Sequence, residues 1–255
     1  MNPGDLSDVL LVLVAGLGAG LMISTIGVAS LVSFPVLVAV GLPPVVANAS
    51  NTVGLVPAGL SGSFGYREEL RENPAATLRV LVVCMVGAAG GAWLLLLLPP
   101  GVFEVVVPWL ILFTCLLVGV QPWLAGWLRR RQGPDAAPRE EMGPVTTVFA
   151  TLTGVYGGYF GAGSGVMMVA VLGLGTDLEL RVVNGLKTLA ILASNVVATV
   201  VFLVFAELDW AAIGLLAAGS VGGGYVGARI GRRLPPTVFR VLVVVGGVTA
   251  AVLLM

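Results

Sequence analysis

Residues 154–195 read GVYGGYFGAGSGVMMVAVLGLGTDLELRVVNGLKTLAILASN. A glycine cluster (Gly157, Gly158, Gly161, Gly163, Gly165) interrupts an apolar run. A short apolar segment follows, then a longer one that carries Asn184, Lys187, Thr188 and Asn195. Polar side chains and a lysine inside hydrophobic segments are expensive in lipid, which makes them functional candidates. A paler copy of the same pattern runs from Gly16 to Thr52.

The composition says what kind of chain holds these stretches. Of 255 residues, 58% are hydrophobic and 10% are charged, and none is charged between Val9 and Tyr66. That is the signature of an all-α polytopic membrane protein. The opening MNPGDLSD has no basic region, so the first apolar run reads as mature chain and not as a cleaved signal. Histidine is absent, which removes His-based nucleophilic catalysis and His metal ligation. Cys84 and Cys115 stand singly in different apolar runs and read as small core residues. No metal, cofactor or catalytic residue is expected. No basic patch interleaved with aromatics suggests nucleic acid.

Apolar segments span Leu6–Ile26, Ser30–Val40, Val45–Gly65, Leu78–Leu98 and Phe103–Trp127. After a polar linker, Arg129–Gly143, come Val145–Phe160, Ser164–Leu174, Val183–Ala206, Ala211–Ile230 and Thr237–Leu254. The expected division is a first transmembrane repeat (1–128), a cytoplasmic linker (129–143) and a second repeat (144–255). A crossing needs about 20 apolar residues. Ser30–Val40 and Ser164–Leu174 are too short, and each follows a glycine or serine break. Each reads as half of a re-entrant hairpin or broken helix, which is tolerated only where it lines a protein cavity.

The halves repeat in sequence. Gly27-Val28-Ala29-Ser30 aligns with Gly161-Ala162-Gly163-Ser164, and Val46-Ala47-Asn48 with Val182-Val183-Asn184. Asn51-Thr52 aligns with Lys187-Thr188, and the LPPxVF element at Leu98–Phe103 with Leu234–Phe239. Internal repeats build many transporter folds. The basic residues then set orientation. If each hairpin returns to its own side and three full crossings follow, the second half is inverted. Clusters around Arg67/Arg71/Arg79, Arg129–Arg139, Arg181/Lys187 and Arg229–Arg240 then share one face, the cytoplasmic one. Asp5, Asp8, Glu104, Glu207 and Asp209 fall on the other face, and both termini lie outside.

On a helix, Asn184, Lys187, Thr188 and Asn195 share a face, as do Asn48, Asn51 and Thr52. The two stripes are expected to face each other across a pseudo-two-fold axis. The plainer reading is helix–helix glue, and for Lys187, snorkelling to the surface. Ser30 and Ser164 are expected at the caps of the short helices, whose N–H groups would cradle an anion beside Gly161 and Gly163. No Asp or Glu lies deep in a span to hold a cation. GAGSG also invites a reading as an intramembrane hydrolase with Ser164 as nucleophile, but no histidine is there to serve as base. An anion channel would share the stripes and the repeats.

Five stretches resemble the TauE/SafE sulfite-exporter family of membrane permeases. They are GVASLVSFPVLVAVGLPPVVANASNTV (Gly27–Val53), GSFGYREEL (Gly62–Leu70), GVYGGYFGAGSGVMMVAVLGLG (Gly154–Gly175), VVNGLKTLAILASNVVA (Val182–Ala198) and GGGYVGARIGRRLPP (Gly222–Pro236). Where the family pattern has a glycine triplet in the first hairpin turn, this chain has Val28-Ala29 after Gly27. The resemblance implies a multi-pass plasma-membrane exporter of sulfite or small organosulfonates. The expected binding groups are Ser30, Asn48, Asn51, Thr52, Gly161, Gly163, Ser164, Asn184, Lys187, Thr188 and Asn195. Its partners are then the bilayer and a small anion; the sequence does not set the oligomeric state.

Overall fold

The computed structural model describes residues 5–131, 141–230 and 236–254. Among them the chain is all helix and turn, without a strand. The first half holds α1 (Leu6–Thr25), α2 (Ser30–Ala39), α3 (Pro44–Gly65), α4 (Arg67–Glu72), α5 (Pro74–Leu97) and α6 (Pro100–Arg131). The second holds α7 (Pro144–Tyr159), α8 (Ser164–Gly175), α9 (Leu180–Phe205), α10 (Trp210–Ile230) and α11 (Pro236–Leu254). Leu6–Ile23, Pro74–Leu97, Pro100–Val120 and Leu180–Phe205 are long and apolar enough to cross a membrane. α3 has the length, but Asn48, Asn51, Thr52 and several small residues make it more polar. Large apolar side chains such as Val14, Val86, Leu97, Trp109 and Val204 stay exposed, as a lipid-facing surface requires. The protein is a polytopic all-α membrane protein.

Several boundaries differ from the sequence reading: α5 starts at Pro74 and α9 at Leu180, each earlier than expected. α6 starts at Pro100 and runs through Pro108 and Pro122 to Arg131, so the first linker residues continue the helix. Residues 132–140 of the linker lie outside the described part. The charged six-residue α4 has no apolar run to betray it.

Both long-short helix pairs break in the same way. At the end of α1 the amides of Ile26 and Gly27 donate to the Met22 carbonyl, at 3.0 and 2.7 Å. At the end of α7 the amides of Phe160 and Gly161 donate to the Tyr156 carbonyl, at 3.0 and 2.9 Å. Gly27 has φ +86° and Gly161 has φ +78°, the left-handed stop that a glycine supplies without strain. The expected serine caps are absent. The cap positions are Ala29 and Gly163, and neither α2 nor α8 has a side-chain cap. Ser30 and Ser164 are the first helical residues, because the turn preceding α8 is closed by Gly163 at φ +77° and Ser30 bonds elsewhere.

Packing between the halves is reciprocal. α1 lies along α10 as α7 lies along α5, and α3 meets α10 as α9 meets α5. Glycines set the two closest seams. Gly16 faces Leu216 and Gly20 faces Ser220 and Gly224, so α1 and α10 run parallel. Gly87 faces Thr151 and Val155, and Gly91 faces Val155 and Tyr159, so α5 and α7 run parallel too. Each of these four helices carries two glycines four residues apart, the spacing that lets membrane helices approach backbone to backbone. α3 and α9 cross antiparallel, with Gly59 against Leu192 and Gly185 against Tyr66. Arg181 pairs with Glu72, and Arg79 with Glu141 at 2.8 Å, which brings the starts of α5, α7 and α9 to one end.

Candidate functional site

A helix C-terminus leaves its last carbonyls without intrahelical partners. At the end of α1 the Thr25 carbonyl accepts a hydrogen bond from Lys187 Nζ of α9, at 3.1 Å. At the end of α7 the Tyr159 carbonyl accepts one from Asn48 Nδ2 of α3, at 2.9 Å. Thr25 and Tyr159 stand at the same place in their halves, two residues before Gly27 and Gly161. Each polar helix thus reaches over to the hairpin break of the other half. The breaks also touch one another. A Cβ on Gly27 would lie 3.2 Å from Gly165 Cα and 3.3 Å from Lys187 Cδ, and one on Gly165 would lie 2.9 Å from the Gly27 carbonyl oxygen.

The electrostatics centre on Lys187. It is 1% exposed, and among the described residues it is the one charged side chain that is buried. It has no carboxylate partner among them. Its ammonium carries three donors, and Thr25 engages one. The C-terminal end of α1 contributes about half a negative charge at that spot. What remains is net positive charge with free donors in apolar surroundings. Snorkelling is ruled out by position: the amine turns inward to Thr25, while Arg181 at the start of α9 is the exposed cation, paired with Glu179 and Glu72.

The other expected residues divide into three groups. Asn51 is tied within its own hairpin: Ser33 Oγ donates to its Oδ1 at 2.5 Å, and its Nδ2 donates to Ser30 Oγ at 3.1 Å. Thr52 and Thr188 donate back to the carbonyls of Asn48 and Asn184 one turn earlier, at 3.0 and 2.9 Å. Asn184, Asn195 and Ser164 make no side-chain hydrogen bond among the described residues, so their polar groups are open to a ligand. Ser164 lies beside Gly157, across from Ser194. Among the described residues the two polar stripes do not hydrogen-bond each other. The antiparallel crossing of α3 and α9 is filled by Gly59 and Leu192, and Asn48 and Lys187 turn to the hairpin breaks instead. The amides of Ser164, Val166 and Met167 donate to the carbonyls of Gly161 and Gly163, which leaves fewer free N–H groups for a cradle than the helix start suggests.

Sequence reasoning missed several groups at the site. The Thr25 and Tyr159 carbonyls are backbone atoms that no motif announces. Tyr156 and Thr114 hold the second break: the tyrosine hydroxyl donates to the Ala162 carbonyl at 2.6 Å, and Thr114 Oγ1 of α6 lies 2.9 Å from the same oxygen. Gly163 packs directly on the Thr114 side chain. Phe34, Phe103 and Phe160 stack edge to face around this break, with centroids 5.3 to 6.3 Å apart. Asn48 Oδ1 is buried and has no hydrogen-bond partner among the described residues.

Comparison with known proteins agrees with this architecture. The family profile "Sulfite exporter TauE/SafE" matches residues 12–254. A "Probable membrane transporter protein ORF9" from Sinorhizobium sp is 26% identical over 246 residues, covering 95% of this chain and 90% of that protein. A "Probable membrane transporter protein" from Haemophilus influenzae is 25% identical over 221 residues, covering 86% and 83%. No solved structure matches the chain significantly.

Proposed function

Since the chain belongs to the TauE/SafE sulfite exporter family, and is a multi-pass membrane transporter by that kinship, we propose that it exports a small sulfur oxyanion, sulfite or an organosulfonate, across the plasma membrane. The observation that carries the reading is Lys187, a buried ammonium with one neutral acceptor and no carboxylate. A charge left uncompensated in an apolar interior is strongly unfavourable, so the site is completed by an anion. Asn184, Ser164, Asn195 and Asn48 are the further binding groups.

The transport cycle is alternating access between two inverted repeats. The reading is supported by the opposed directions of α1 and α7, each parallel to a helix of the other half, and by the reciprocal bonds from Lys187 to Thr25 and from Asn48 to Tyr159. The contact of Gly27 with Gly165, which joins the two hairpin breaks, favours a carrier over an open channel. A hydrolase at Ser164 would lack the histidine that usually serves as its base. The purified protein in detergent should be stabilised against heat by sulfite and by alkanesulfonates, and not by choline or sodium. Equal stabilisation by all of these, or by none, sinks the reading.

A further inference from the structure

The binding groups contain a mismatch with a bare oxyanion. Asn48 is 1% exposed, and its Oδ1 has no donor. The orientation of the amide is fixed, because flipping it would set its oxygen against the Tyr159 carbonyl in place of the 2.9 Å hydrogen bond. A buried acceptor without a donor is unfavourable by itself. An anion such as sulfate or fully deprotonated sulfite has only acceptors and cannot satisfy it. The charge count points the same way. The one buried cation among the described residues, Lys187, balances one negative charge. A dianion would leave a net negative charge in the apolar interior.

We propose that the site selects monoanions that also carry a hydrogen-bond donor, with Lys187 taking the charged end and Asn48 Oδ1 accepting from an S–OH or C–OH group at some stage of the passage. This rests on the export reading and narrows it to hydrogen-form oxyanions and hydroxy-substituted sulfonates. Asn48 and Lys187 serve it from equivalent places, each bonded to the carbonyl that ends the first helix of the opposite half. The passing ion need not touch both at once.

The test compares ethanesulfonate with 2-hydroxyethanesulfonate, two monoanions that differ by one hydroxyl, and sulfate as dianion. Dissociation constants are read from thermal stabilisation of the purified full chain. The hydroxylated ion should bind about tenfold more tightly, the worth of one buried hydrogen bond, with sulfate weakest. In Asn48→Leu the preference should fall to near one. Equal affinity for the two sulfonates in the unaltered protein overturns the proposal and means that water alone meets Asn48. An undiminished preference in Asn48→Leu overturns it too. If Asn48→Leu does not fold, the comparison in the unaltered protein still decides. Failure of every anion to bind would instead count against the export reading itself.

Discussion

Lys187 and Thr25 lie 162 residues apart in sequence and are joined by a 3.1 Å hydrogen bond from the amine to the carbonyl that ends α1. The bond ties the middle of the second half to the hairpin break of the first. It also fixes where the one buried charge among the described residues stands.

Replacing Lys187 by methionine keeps an apolar stem and removes the charge. Two effects of opposite sign follow. Anion affinity should fall by about 1.5–3 kcal/mol, the range for hydrogen bonds to a charged group. Stability without anion should stay level or rise, because an unpaired buried charge is gone. Melting curves with and without sulfite measure both. A variant that melts lower and keeps its full anion response would make Lys187 a structural residue.

The glycine seams should be intolerant in a position-specific way. A Cβ at Gly91 would run into the Val155 carbonyl and, at 2.8 Å, the Tyr159 amide, whereas one at Gly90 meets nothing within 4 Å. Gly91→Val is expected to destabilise by about 1–3 kcal/mol or more, because backbone cannot move aside as a side chain can. Gly90→Ala should stay within about 0.5 kcal/mol. Guanidinium or thermal unfolding in detergent compares the two, and similar effects at both would mean that α5 and α7 are not so closely apposed.

Much of this was legible in the sequence, and the reason is lipid. Hydropathy located nearly every long helix, because a membrane leaves few alternatives to one. Gly27, Gly161 and Gly163 stood out because left-handed turns require them. The polar stripe singled out Lys187 and Asn48. What it could not give was the partners. A side chain on one face of α9 is compatible with many neighbours, and its acceptor is a backbone carbonyl with no residue signature. The assignment of Ser30 and Ser164 as caps failed for a related reason. A cap preference is worth about 1 kcal/mol, and a left-handed glycine preceding α8 or an Asn51 side chain within reach of Ser30 readily outweighs it.

Orientation can be tested at the two ends. The ion pairs Arg79–Glu141 and Arg181–Glu72 gather basic residues at the starts of α5, α7 and α9, and Glu207 lies exposed beyond the far end of α9. By the bias of basic residues toward the cytoplasm, Glu207→Cys should react with an impermeant maleimide in intact cells. Glu141→Cys should react only after permeabilisation. Cys84 and Cys115 are buried and give a low background. The reverse pattern would turn the molecule over and make the transport direction the first thing to re-examine.

The last prediction concerns the driving force. A proton-coupled carrier generally needs a titratable group within the membrane. Among the described residues the buried charged side chain is Lys187 alone, and its ammonium is engaged by Thr25. No buried carboxylate stands near to exchange a proton with it. An exported monoanion has no need of coupling. The membrane potential, negative inside, favours outward movement by about 2.3 kcal/mol per charge per 100 mV, which sustains a concentration ratio of roughly fifty at 100 mV. Export is therefore expected to be electrogenic and independent of a pH gradient. Liposomes loaded with a sulfonate and clamped by potassium and valinomycin measure it. Efflux should accelerate when the interior is made negative and should persist with equal pH on both sides. Efflux that ignores the potential but requires a pH gradient would defeat the prediction, and would require Lys187 to release its proton to solvent in each cycle.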